Sequence, residues 1–147
     1  MKTIAKAMRL TPAVILMNFI LILLFVNQGL AQSTKAKPWV VPPAALQVKN
    51  PLAGDPASAA KEGKKTYTTY CTPCHGNGGK GDGVASASVN PKPADHTSDA
   101  VQSEPDGSLY YKMTEGRGPM ISYKQVLNET QRWQLVCYIR TLAKKKS

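Results

Sequence analysis

Cys71-Thr72-Pro73-Cys74-His75 is the stretch on which this chain turns. It reads Cys-x-x-Cys-His, a spacing with a direct chemical meaning. Two thiols one short turn apart form thioether bonds to the two vinyl groups on one edge of haem, and the next residue offers an imidazole to the iron. Other uses of paired cysteines fit less well. A thioredoxin-like redox pair expects a βαβ pattern, which the chain lacks. A tetrahedral zinc site needs two more ligands, and beyond the motif only Cys137, on an apolar helix face, and His96 remain. A plain disulfide leaves the adjacent histidine unexplained. The motif therefore predicts one covalent haem c, attached through Cys71 and Cys74, with His75 on the iron.

Composition points the same way. A chain of 147 residues allows one ordinary domain and excludes a large multidomain enzyme. Its 42% hydrophobic content is weighted towards the first 31 residues, which hold both phenylalanines, Phe19 and Phe25. Residues 53–147 contain only eleven Val, Ile or Leu, about 12%, a level at which charged chains usually stay unfolded. The same stretch holds Trp133, six tyrosines and clear helix patterning. A large flat apolar ring standing in for missing aliphatic side chains resolves that conflict.

Residues 1–31 read as an export signal. Lys2, Lys6 and Arg9 precede a 14-residue apolar run, 13–26, interrupted only by Asn18, and Gly29-Leu30-Ala31 supplies small residues for cleavage. The run is short of the ~20 residues that span a membrane. Cleavage after Ala31 is expected, with retention as an anchor the alternative. Directly after Ala31 stand Gln32 and Ser33, with no cysteine to take a lipid. The expected location is periplasmic or otherwise extracytoplasmic, and soluble once cleaved.

Cleavage removes three of the positive charges behind the formal +10 and no negative ones, leaving +7. Lys35, Lys37 and Lys49 lie in a Pro-rich arm and Lys144, Lys145 and Lys146 at the far end. A nucleic-acid binder would instead interleave a basic stripe with aromatics, so no nucleic-acid partner is expected. A solvated basic surface favouring acidic partners is the simpler reading.

The mature chain is expected to be all-α with long loops, an arm over 32–52 preceding a haem domain over 53–147. Pro38, Pro42, Pro43 and Pro51 predict an extended arm, with Trp39 packing on the domain or meeting a partner. Asp55 as N-cap and Pro56 at the first helical position open a helix to about Tyr70, with Ala60, Gly63, Tyr67 and Tyr70 on one face. Gly63 in mid-helix signals a close crossing by another element. From Cys71 to Asp99 the chain is too rich in Gly, Pro and Ser for sheet or long helix. Glu104-Pro105-Asp106 opens a helix through Leu109 and Met113 that stops at Gly116. Asn128 to Gln131 reads as a capping box for a last helix bearing Trp133, Val136, Cys137 and Arg140.

The second axial ligand decides the chemistry, and beyond the signal the candidates are Met120, Met113 and His96. Met113 sits at i+4 from Leu109 and reads as core packing. Met120 follows Gly116-Arg117-Gly118-Pro119, a loop able to bring a thioether to a flat ring, and is the preferred ligand. His96 would make a bis-histidine site, against its reading as an exposed loop residue.

These residues resemble the class I monohaem cytochromes c, especially small exported bacterial ones, over roughly 54–143. Gly63 and Tyr67 resemble the family's N-terminal helix; Trp133 and Tyr138 resemble the aromatics of the helix that crosses it. Gly79-Lys80-Gly81-Asp82-Gly83 is similar to the glycine loop after the attachment site. Asn90-Pro91-Lys92-Pro93-Ala94-Asp95 is similar to the segment whose backbone accepts a hydrogen bond from the axial histidine, with Pro93 preferred over Pro91. Gly116-Arg117-Gly118-Pro119-Met120 resembles the ligand-methionine loop, although Ile121 stands where many relatives have proline. His96 replaces an apolar residue, and Cys137 lacks an evident partner.

The resemblance implies an electron carrier, not an enzyme, exchanging single electrons through short-lived, charge-steered encounters. Lys80, Lys112, Arg117 and Lys124 are candidates for a ring of charge around the haem edge. Redox partners would be a quinol-oxidising complex, a terminal oxidase or a reductase. Two other functions stand beside it: a subunit of a larger membrane respiratory complex, and a haem enzyme or gas-binding module with an open sixth position.

Overall fold

A computed structural model of the protein describes residues 38–144, together with Pro12. The remaining residues of the export-like segment, the start of the arm and the last three residues lie outside the described residues. A compact unit begins at Pro38. Its helices are α1 (Pro43–Leu46), α2 (Pro56–Tyr70), α3 (Thr72–His75), α4 (Asp99–Gln102), α5 (Asp106–Glu115) and α6 (Glu129–Thr141), with a 3-10 turn at Ser86–Ser88. The architecture is all-α: among the described residues the only β-type pairing is an isolated bridge between Arg117 and Met120. No described helix is long and apolar enough to cross a membrane.

The two long helices, α2 and α6, form the frame. Asp55 caps α2 by accepting from the Ser58 amide at 3.1 Å, and Pro56 starts it. The buried residues Ala59, Ala60, Gly63 and Tyr67 recur at helical spacing, so one stripe faces inward. The stripe meets α6 at Gly63, where an added Cβ would lie 2.0 Å from the Gln134 carbonyl oxygen and 3.0 Å from Tyr138 Cβ. Helix α6 starts with a reciprocal capping box: Gln131 N donates to Asn128 Oδ1 at 2.9 Å and Asn128 N to Gln131 Oε1 at 3.0 Å. It buries Trp133, Leu135, Val136, Cys137 and Ile139.

Two expectations are corrected. Tyr70 is not on the buried stripe but 42% exposed. It ends α2 and turns outward to meet Tyr123 edge-on, ring centroids 6.2 Å apart. The arm is not wholly extended either, since residues 43–46 form α1 with Pro43 in the first turn, where the missing amide costs nothing.

Helix α1 lies against α5, so closely that a Cβ on Gly107 would sit 2.1 Å from the Ala45 carbonyl oxygen. Asn50 fastens the junction, donating to Asp106 Oδ2 at 2.9 Å and to Cys137 Sγ at 3.4 Å. Arg140 reaches Asp106 Oδ1 from α6 at 2.8 Å and donates to the Val101, Gln102 and Glu104 carbonyls. Cys137 is a free thiol, 3% exposed, as expected of an inert core residue. Helix α5 ends at Gly116, whose φ of +67° is in the region that favours glycine. Helix α4 was not anticipated; it has four residues and no side-chain cap, so it leaves little periodic signal.

Candidate functional site

Helix α2 runs almost directly into the attachment motif. Cys71 N bonds Tyr67 O at 2.9 Å, Cys74 N bonds Cys71 O at 3.2 Å and His75 N bonds the same carbonyl at 2.8 Å. One short turn therefore presents two half-buried thiols and an imidazole. The glycine loop then folds back onto that turn: Gly81 N donates to His75 O at 2.9 Å, Gly83 N to Cys74 O at 3.1 Å and Ala85 N to Pro73 O at 2.8 Å. Gly83 has no space for a side chain, since a Cβ there would lie 2.3 Å from Pro73 O. Burial, reinforced by neighbouring Cys74, pushes the Cys71 thiol up to about 12.

His75 Nδ1 stands 3.0 Å from the Ala94 carbonyl oxygen. A carbonyl can only accept, so the proton is on Nδ1 and Nε2 keeps its lone pair. Burial lowers the His75 pKa, against the pull of the Ala94 hydrogen bond, and favours the neutral ring. The acceptor is one residue beyond the expected Pro93. The Pro93 carbonyl instead packs on Gly81, whose added Cβ would lie 2.4 Å from its oxygen.

His96 overturns the expectation of an exposed loop residue. Its ring stacks on that of His75, centroids 4.1 Å apart and 18° between planes. Nδ1 shares a 3.0 Å hydrogen bond with the hydroxyl of fully buried Tyr67. Its backbone is held at both ends, by Gly79 O at 2.6 Å and by Gln102 Nε2 at 2.6 Å. Burial, then the adjacent His75, drives the His96 pKa down to about 3, against the opposing effect of Asp95. His96 thus lies beside His75, not across from it. The Tyr67–His96 pair escaped sequence reading because 29 residues separate the two.

Met113 is 5% exposed in the main apolar cluster, as its helical spacing suggested. Met120 is half-buried at the edge of that cluster, which Cys71 also borders. Met120 and Arg117 exchange two backbone bonds of 2.9 Å, closing a tight hairpin around Gly118 and Pro119. Three residues on, Tyr123 N donates to Met113 O at 3.0 Å, and its hydroxyl donates to Tyr70 O at 3.0 Å, next to Cys71. The methionine hairpin is thereby tied to the start of the attachment turn. Tyr123 was missed because no local pattern marks a contact 53 residues away.

The four cations proposed as a ring behave differently from one another. Lys112 pairs with Glu104 at 2.5 Å, Lys124 with Glu115 at 3.6 Å, and the Arg117 guanidinium lies 4.8 Å from the Trp39 ring centre. Lys80 is exposed. An open depression of about 500 Å³ is lined by Thr72, Pro73, Gly76, Asn77, Asp82 and Val84 among others, and its lining includes none of Cys71, Cys74, His75 and Met120.

Among the described residues no three or more His, Cys, Asp and Glu gather as a metal-ion site. Two thiols beside a neutral imidazole with a free Nε2 suit a covalently held haem better than a bare metal ion.

The family model described as cytochrome c oxidase, cbb3-type, subunit III, matches residues 58–139, from α2 into α6. A solved structure from Kuenenia stuttgartiensis, a reducing HAO-like protein complex, is similar to this chain with a TM-score of 0.56 and 25% sequence identity. The likeness covers 75% of this chain and 53% of that one, so this chain spans about half its length. No curated relative matches.

Proposed function

The chain belongs to the family described as cytochrome c oxidase, cbb3-type, subunit III, a c-type cytochrome with covalently bound haem, and from that premise we propose that it passes single electrons with His75 and Met120 as axial ligands of one haem c held by Cys71 and Cys74. When bound, the haem supplies a reversible one-electron iron couple.

The protein's part is to hold ligands still. The Ala94 carbonyl fixes the His75 ring and its tautomer, leaving Nε2 for the iron; that 3.0 Å contact is the observation that carries the proposal. Met120 brings a neutral, soft sulfur on a closed hairpin, which favours ferrous iron and a higher potential than two histidines give. The placement of His96 beside His75, and of Met113 in the core, supports Met120 over either. Burial keeps the Tyr67 and Tyr123 hydroxyls protonated, so neither adds a charge near the attachment turn.

Export through residues 1–31 would place this work outside the cytoplasm, where the haem is attached. Partners would be a quinol-oxidising complex, a terminal oxidase or a reductase, met through small interfaces whose exchange slows with salt.

Residence as a subunit is the second reading. It is favoured by the family's description as an oxidase subunit and by the similar chain's place in a multi-protein complex. Fractionation of producing cells separates the two. Free chain beginning near Gln32 supports a shuttle; a chain retaining residues 1–31 that co-purifies in fixed ratio with membrane proteins supports a subunit.

The ligation is tested by spectra of the haem-loaded protein, oxidised and reduced, with carbon monoxide added to the reduced form. A low-spin spectrum with a weak far-red sulfur-to-iron band, lost in Met120→Ala and kept in Met113→Ala, is expected. A high-spin spectrum that shifts readily with carbon monoxide would instead mean an open sixth position and ligand binding or catalysis.

A further inference from the structure

Trp39 precedes the family-matched residues 58–139, yet it meets the methionine hairpin. Its ring centre lies 4.8 Å from the Arg117 guanidinium carbon and 5.9 Å from Lys112 Nζ, both within cation–π range. The arm that carries it is itself anchored, by the Ala45 carbonyl packed on Gly107 and by Asn50 bonded to Asp106. Arg117 in turn is joined through its backbone to Met120 by two 2.9 Å bonds. We infer that Trp39 is a positioning residue: by holding the Arg117 side chain it braces the hairpin and keeps the Met120 sulfur on the iron.

This rests on Met120 as the sixth ligand. A hairpin that presents one thioether competes with external ligands, because each opening frees the iron's sixth position. Gly118, with no heavy atom within 4 Å of an added Cβ, leaves one side of Arg117 open, whereas Gly116 on the other side is packed against the Ile121 and Ser122 backbone. The arm adds a restraint at Arg117, beside the open Gly118. At an exposed side chain such as Arg117 a cation–π contact shifts an opening equilibrium about two- to five-fold.

The test is imidazole binding to the oxidised, haem-loaded protein, read together with the far-red band. Trp39→Ala is expected to bind imidazole about two- to five-fold more tightly and to weaken the band, while Trp39→Phe restores most of both. Arg117→Gln breaks the same contact with the arm left intact and should loosen Met120 comparably. The double variant should then do little more than either single change. The brace is overturned if Trp39→Ala and Arg117→Gln bind imidazole as the parent does while Met120→Ala binds it far more tightly. If Met120→Ala changes neither the band nor imidazole binding, the ligation assignment fails first and the brace falls with it.

Discussion

The Tyr123 hydroxyl reaches back 53 residues to the Tyr70 carbonyl, and the bond does two things. It ties the segment after Met120 to the residue before Cys71, and it places a phenol where ionisation is unfavourable. Burial, reinforced by the Cys71 and Cys74 thiols, pushes the Tyr123 pKa up to about 12 from 10.0. With the folded value above the unfolded one, its contribution is fully present below pH 10 and is lost as pH rises towards 12. Thioether formation removes the thiols' share, but burial, the larger cause, remains. Tyr123→Phe should therefore be less stable at neutral pH by about 1 kcal/mol, from the lost hydrogen bond. It should also lose stability less steeply between pH 10 and 12, as denaturant titrations at several pH values would show. An unchanged alkaline slope would remove Tyr123 from the account.

At the scale of helices, the crossing of α2 and α6 depends on one missing side chain and one cap. Gly63→Ala puts a methyl group where Gln134 O and Tyr138 Cβ already stand, and the helices must part; a loss of about 1–3 kcal/mol is expected in thermal or denaturant unfolding. Asn128→Ala removes half of the capping box and should cost about 0.5–2 kcal/mol by the same measurement. A neutral Gly63→Ala would mean that the frame relaxes freely. Both features were legible beforehand because they are local: a cap is read from four consecutive residues, and a mid-helix glycine stands out against its neighbours. Helix α5 was legible for the same reason, between Pro105 and Gly116. Helix α1 was not, because a run of prolines suggests extended chain and only packing against Gly107 favours a single turn.

For the whole molecule, the buried apolar cluster runs mainly along α2, α5 and α6, while Cys71 and Met120 lie at its edge and Val84 and Ile121 are left exposed. Such a core is small for its chain, and haem is expected to complete it. The protein carrying Cys71→Ala and Cys74→Ala, made without covalent haem, should melt well below the haem-loaded parent and give weaker near-ultraviolet circular dichroism. Equal melting temperatures would show that the side chains alone suffice. By itself the sequence determined the all-α class, the attachment turn and the principal helix ends, because backbone turns, caps and a five-residue motif are set by neighbours in the chain. Only the tertiary structure decided that Ala94 and not Pro93 accepts the hydrogen bond from His75 Nδ1, and that His96 stacks beside His75. It also decided that the arm grips the methionine hairpin through Trp39. Each of these joins residues distant in the chain, and such pairings are selected by how the packed helices fill space, which no local pattern encodes.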